Sequence, residues 1–237
     1  MRLSRTGRRS RAHLAEIRDA HKGETCVILG NGPSLRDFDV STLDGIPAFC
    51  LNRGYLLWER TGRSPAYYVA VNDLVIEQFS DEIAKLDSQA FLPWLHRERF
   101  KDSRGATFFE TRIDEPFLTD PRRGVAPGAT VTIAALQLAF HMGFTTVILL
   151  GVDHRFEYNG LPHDEVRQEG ADPNHFRSDY FGHGRLWNLP DLDQSERGYA
   201  AARDAFRRDG RQIINATDGT DLDVFDRGEL SEVLLDV

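Results

Sequence analysis

The chain has 237 residues, 41% hydrophobic and 28% charged, enough for one large core or a core with a small lid. No apolar stretch approaches the ~20 residues that span a bilayer, and the N-terminus lacks the apolar centre of a secretory signal. A formal net charge of −8 argues against general nucleic-acid binding.

The first dozen residues hold Arg2, Arg5, Arg8, Arg9 and Arg11 without an acid. They read as a solvated, partly disordered arm, or as a basic segment touching anionic lipid or an acidic partner. Helical spacing runs from near Ala12 to about His21, and Gly23 ends it. Residues 1–22 are therefore set apart as a basic arm and helix, and 23–237 as a single α/β domain. Cys26-Val27-Ile28-Leu29 is a short continuous apolar run before Gly30-Asn31-Gly32-Pro33, the pattern of a strand buried on both faces. Strands are also expected over Pro47–Leu51, Ala66–Val71 and, more weakly, Gln89–Leu92, with a helix over Leu74–Leu86. The clearest helix runs from Thr130 to Met142, with Gly143 at its end, and leads into a strand over Thr146–Leu150. From about 154 to 190 the periodicity is lost and Gly, Pro, His and Asp accumulate, as in a functional lid. A helix over Gln194–Arg208 and a strand over Gln212–Asn215 follow. Strands alternating with helices predict an α/β, Rossmann-like, mainly parallel sheet with helices on both faces. Cys26 and Cys50 fall within its strands as small core residues of a reducing cytoplasm.

Ligands of such sheets bind beyond the carboxyl ends of the strands, which draws Asn31, Asn52, Asn72 and Asp153 together. In the loop Gly30-Asn31-Gly32-Pro33-Ser34-Leu35, glycines permit close backbone approach, and a following helix offers N–H groups to a phosphate or ribose. Leu35 replaces the third glycine of the dinucleotide fingerprint, and no Gly-Lys-Ser/Thr marks a P-loop. A plain turn with Ser34 as a cap is the competing account. Asparagine donates and accepts at once, which suits a base edge or sugar hydroxyls, although each one alone also suits a turn or a cap. The lid carries His154, Arg155, Tyr158, His163, His175, Tyr180 and His183. A zinc site, a solvated flap with titratable side chains, and a catalytic lid all fit that composition, and imidazole is suited to take a proton from an attacking hydroxyl. The pairs Asp37/Asp39, Asp191/Asp193 and Asp221/Asp223 lie in polar connectors and suit a solvated surface better than an ion site.

The runs Gly30–Leu35, Cys50-Leu51-Asn52 and Val71-Asn72-Asp73-Leu74 with Glu77-Gln78-Phe79 resemble the bacterial CMP-sialic-acid-dependent sialyltransferases. Gly151-Val152-Asp153, Asn174-His175-Phe176 and Tyr180-Phe181-Gly182-His183 fit the same order, and the likeness spans roughly residues 24 to 215. The chain is similarly close to a family that groups flagellin-glycosylating motility accessory factors with archaeal 6-hydroxymethylpterin diphosphokinases. The segment Asn174–Gly182 and the tail from Ile214-Asn215-Ala216-Thr217 to Leu235 look most like bacterial members found among surface-polysaccharide genes.

The resemblance implies a glycosyltransferase that uses a nucleotide-activated, CMP-linked, sialic-acid-like sugar in surface glycan synthesis. Asn31, Gly32, Pro33, Ser34, Asn52, Asn72, Thr130, Asp153 and Tyr180 would hold the donor, and His183 would be the general base. Arg155 or Tyr158 would stabilise the departing phosphate, Arg155 standing where the sialyltransferases have a tyrosine. No metal site and no cofactor beyond the donor are expected. The expected partners are the donor and a glycan or lipid-linked acceptor, with no nucleic acid, in the cytoplasm or at the inner membrane surface. Membrane contact through the Arg-rich N-terminus and homo-oligomer formation are open expectations. The alternatives are a Mg²⁺-dependent 6-hydroxymethylpterin diphosphokinase using ATP and a nucleotide-binding protein without catalysis.

Overall fold

The apolar run after Gly23 forms β1 (Thr25–Leu29), with Cys26 and Ile28 packed on one side of the sheet and Val27 and Leu29 on the other. Both faces of the strand are covered, which is why it reads as a continuous apolar segment rather than an alternating one. The computed structural model describes residues 4–59, 61–103 and 105–234. Arg2 and Leu235, named above, lie outside them.

Seven further strands join β1: β2 (Ala48–Leu51), β3 (Tyr67–Val69), β4 (Gln89–Pro93), β5 (Ala106–Phe109), β6 (Thr146–Leu150), β9 (Gln212–Asn215) and β10 (Asp226–Arg227). Their order is β10-β9-β6-β1-β2-β3-β4-β5 and every pairing is parallel. The remaining two, β7 (Glu165–Arg167) and β8 (Leu186–Asn188), form an antiparallel pair within the lid. Helices α1 (Arg5–Glu16), α3 (Val131–Met142) and α4 (Leu192–Arg208) cover one face. On the other lie α2 (Asp73–Ile83), the short 3-10 turns between β1 and β3, and the lid aromatics Phe176, Tyr180 and Phe181. A short α5 (Leu230–Val233) follows β10. The chain is thus an α/β, Rossmann-like protein with a parallel sheet between two covering layers.

From β1 the chain steps outward through β5, then returns to the opposite side of β1 with β6. Strand order therefore reverses between β1 and β6, where open α/β sheets carry their ligand crevice. The register pairs Leu29 with Leu150, so the loops opening at Gly30 and Gly151 leave the sheet side by side. Gly30 N–H donates to Leu150 O at 2.7 Å and Gly32 N–H to Gly151 O at 2.9 Å.

The basic segment differs from the expected arm. From Arg5, well before Ala12, it is helical, with Ser4 Oγ accepting from Gly7 N–H at 3.0 Å as a cap. Its inward residues are Gly7, Ser10 and Leu14, so small residues replace the apolar period and the packing face is invisible in hydropathy. Ser10 Oγ accepts the outward Phe108 N–H of edge strand β5 at 3.0 Å, and His141 Nε2 bonds Leu14 O at 2.6 Å. The helix thereby covers a sheet edge that would otherwise be open to pairing with another chain. Ser10→Ala leaves a buried N–H unpaired and should cost about 1–3 kcal/mol. Calorimetry should show the melting temperature lowered by about 2–4 °C per kcal/mol; an unchanged melting point would mean that water replaces the hydroxyl.

Candidate functional site

A cavity of about 470 Å³ opens beyond the ends of β1, β2, β3 and β6, between the first turn of α3 and the lid. Such volumes are typical of small-molecule sites. Asn31, Gly32, Asn52, Asn72, Thr130, Asp153 and Arg155 all lie on its wall, whereas Pro33, Ser34, Tyr158, Tyr180 and His183 do not.

The wall asparagines differ in what they do. Asn31 Nδ2 donates to Leu51 O at 3.1 Å, tying the β1 loop to β2. Its Oδ1 is buried without a hydrogen-bond partner, and so is Oδ1 of Asn52. An unmatched buried acceptor costs stability unless a ligand donates to it. Asn72 caps α2, accepting from Val75 N–H at 3.1 Å, and its Nδ2 donates to Asn188 Oδ1 of β8 at 3.2 Å. It is both the cap that asparagine commonly forms and a latch for the lid. Thr130 caps α3, whose first turn opens onto the cavity and offers the positive end of a helix dipole.

Asp153 turns back onto the β1 loop, accepting from Ser34 N–H at 3.0 Å and Ser34 Oγ–H at 2.7 Å. Ser34 therefore holds Asp153 in place instead of facing a ligand. Arg155 sits exposed at the rim, its guanidinium donating to both Asp221 oxygens at 2.7 Å and to Gly219 O at 3.1 Å. That pairing holds the Asp221 carboxyl below the usual range. Tyr158 lies off the wall, its hydroxyl 3.5 Å from Pro190 O. Tyr180 of the lid is fully buried, its hydroxyl accepting from Arg53 N–H at 3.1 Å, and burial raises its phenol well above the ordinary value. His183 is exposed to solvent outside the cavity.

Three other lid histidines do line the cavity: His154, His163 and His175. Each faces a carboxylate: Glu196 at 3.1 Å, Asp191 at 3.3 Å and Asp172 at 2.8 Å respectively. The His175–Asp172 pair is the most enclosed, with side chains 12% and 1% exposed. Asp172 Oδ2 meets His175 Nδ1, its Oδ1 accepts from Asn174 N–H at 2.9 Å, and the imidazole stacks on the Tyr180 ring at 4.0 Å. The ring is thus fixed at Nδ1 and along one face, with Nε2 making no hydrogen bond to the described residues. The signal in the sequence is Asp172-Pro-Asn-His175, a carboxylate three residues before an imidazole in a turn. Beside it Phe181 and Trp187 stack on each other at 5.9 Å and present aromatic surface to the cavity.

The lid is anchored, not loose. Phe176 N–H donates to Asn31 O at 3.0 Å, and Arg177 meets Glu59 at 2.6 Å. The Gln78 amide pairs with both backbone groups of Leu186, at 2.8 and 3.0 Å. Among the described residues the non-glycine positions with left-handed backbone are Asp19, Asn52, His154 and His163, and the last three all lie on the cavity wall. Strain gathered at a cavity is a mark of a working site. No group of three or more His, Cys, Asp and Glu side chains suited to a metal ion occurs among the described residues, and none of their helices is long and apolar enough to cross a membrane.

These features define an open parallel α/β protein with a strained, polar, ligand-sized cavity at its switch point. The chain belongs to the MptE-like family, described as 6-hydroxymethylpterin diphosphokinase MptE-like, whose model matches residues 6–159. Among solved structures it is similar to the MAf glycosyltransferase from Magnetospirillum magneticum AMB-1, with a TM-score of 0.54 and 15% identity. That likeness covers 96% of this chain but only 39% of the larger protein, and at such identity it speaks for the fold. No curated protein matches the chain.

Proposed function

We propose that the cavity binds a CMP-linked, sialic-acid-like sugar and that the protein transfers the sugar to a hydroxyl of a glycan or lipid-linked acceptor in surface glycan synthesis. The observation that carries this reading is the pair of orphaned acceptors, Asn31 Oδ1 and Asn52 Oδ1, on neighbouring strand tips. Sugar hydroxyls or an exocyclic amine would supply the missing donors, and Phe181 and Trp187 offer a face for a base.

In this proposal the general base is His175 rather than His183. The acceptor oxygen attacks the anomeric carbon as the bond from that carbon to the phosphate oxygen breaks. The electron pair leaves with CMP, and the acceptor proton passes to His175 Nε2. Asp172 holds the other ring nitrogen, which leaves Nε2 as the atom that takes the proton. The reaction runs in the cytoplasm without a metal ion.

A thermal-shift panel of CMP, CDP, UDP, GDP and ATP, each with and without Mg²⁺, tests the reading. CMP at 100 times its Kd should add about 2.7 kcal/mol of stability, equally with EDTA present. The family's own description supports a second reading, diphosphoryl transfer from ATP to a pterin alcohol. A shift given by ATP only with Mg²⁺ would favour that reading and remove the first.

A further inference from the structure

We infer that His154, held by Glu196, is the group that receives the negative charge of the departing phosphate. The inference rests on the nucleotide-sugar reading and assigns a second catalytic residue within the same site. The residues expected for this task are otherwise engaged, Arg155 being bound at both ends of its fork by Asp221 and Tyr158 lying off the cavity wall. One position before Arg155, the chain takes a left-handed turn, with φ of 56° at His154, and carries that imidazole onto the wall.

The His154 side chain is only 5% exposed. Its Nε2 meets Glu196 Oε1 at 3.1 Å, and its Nδ1 has no hydrogen bond to the described residues. The ring stands edge-on to Tyr199, 6.0 Å between centroids. Tyr199, Thr130 and Thr132 line the cavity together with His154, so His154 and the first turn of α3 share one wall. A phosphate seated there meets a helix N-terminus and an imidazole edge together. With Nε2–H given to Glu196, a neutral ring offers Nδ1 only as an acceptor. His154 therefore donates to the phosphate with both ring nitrogens protonated, Nε2–H given to Glu196 and Nδ1–H to the anion. The other charged or titratable groups nearby are Tyr199 on α4, Asp221 across the rim, and Asp153 and Arg155 on its own segment. His154 donates a hydrogen bond to the leaving oxygen and transfers no proton. The acceptor proton remains on His175, and CMP carries off the electron pair.

Binding of cytidine and of its 5′-methylphosphate, a diester whose charge is constant through neutral pH, separates the possibilities. Wild type should hold the diester more tightly than cytidine. His154→Gln should weaken the diester by about tenfold, as expected for one charge-assisted hydrogen bond, and leave cytidine within about twofold. In ¹⁵N-histidine-labelled wild type, the diester should bring the His154 ring nitrogens to the imidazolium pattern, and cytidine should not. This spectrum decides the matter even if the variant does not fold. Equal weakening of both ligands, or one ring spectrum for both, would overturn the assignment. If neither ligand binds wild type, the nucleotide-sugar reading itself is lost, and the His154 assignment with it.

Discussion

His175→Ala lowers turnover by about 10²–10⁴-fold, the contribution of a positioned general base, and leaves nucleotide affinity within about twofold. The expectation follows from the placement of the ring. Nδ1 is fixed by Asp172 at 2.8 Å and one face by Tyr180 at 4.0 Å, so Nε2 is the nitrogen left to take a proton. Release of CMP from a CMP-linked donor in the presence of acceptor would give the rate, and calorimetry the affinity. Because the ring also packs on Tyr180, the melting temperature must be read alongside. Asp172→Asn provides the finer test. An amide in place of the carboxylate no longer favours the Nδ1–H form, so turnover should fall with affinity kept and the ¹⁵N pattern of His175 should change. His183→Ala, altering an exposed side chain outside the cavity, should leave the rate unchanged. Full turnover by His175→Ala, or a loss confined to His183→Ala, would return the base to its expected position and sink the dyad.

The central sheet was legible because burial on both faces leaves a simple trace. The strands β1, β2, β3, β4, β6 and β9 are short apolar or β-branched runs, each ending near a glycine, asparagine or proline. The edges were not legible. Ala106–Phe109 is four residues long, and its outward amide is met by a serine from a helix whose packing face is Gly7, Ser10 and Leu14. Neither partner advertises the other in hydropathy. The strand-end rule did locate Asn31, Asn52, Asn72 and Asp153, and all four line one cavity. What it could not give is direction. Both Arg155 and its neighbour His154 reach the wall, but Arg155 is taken up by Asp221 and His154 is set by one left-handed residue, and nothing in local composition fixes either. The choice among four lid histidines fails for the same reason. A segment without periodicity has no predictable faces, so only the Asp172-Pro-Asn-His175 turn sets His175 apart from His183 until Tyr180 is seen stacked on its ring.

The glycine at the end of β1 provides the second large effect. Gly30→Ala should destabilise the protein by about 3 kcal/mol, the upper part of the usual range for overpacking, and abolish nucleotide binding. A Cβ at this position would stand 2.7 Å from the carbonyl carbon of Gly151, closer still to its oxygen, and 3.1 Å from Val152 N. All three are backbone atoms, so no side-chain rotation relieves the clash. β1 and β6 would have to part where Gly30 N–H donates to Leu150 O and Gly32 N–H to Gly151 O. The same movement would carry Asn31 away from Leu51 and from the lid amide of Phe176 that its carbonyl accepts. Stability and binding should therefore fall together. At about 2–4 °C per kcal/mol for a chain of this size, the melting temperature should drop by about 6–12 °C. Gly210→Ala is the control. Its φ of 70° is left-handed, but nothing lies within 4 Å of the added methyl, so only the backbone preference of about 1 kcal/mol is lost and binding should be unaffected. Equal melting shifts for the two variants would show that β1 and β6 yield easily. Unchanged nucleotide affinity in Gly30→Ala would show that the ligand lies elsewhere than at this crossing.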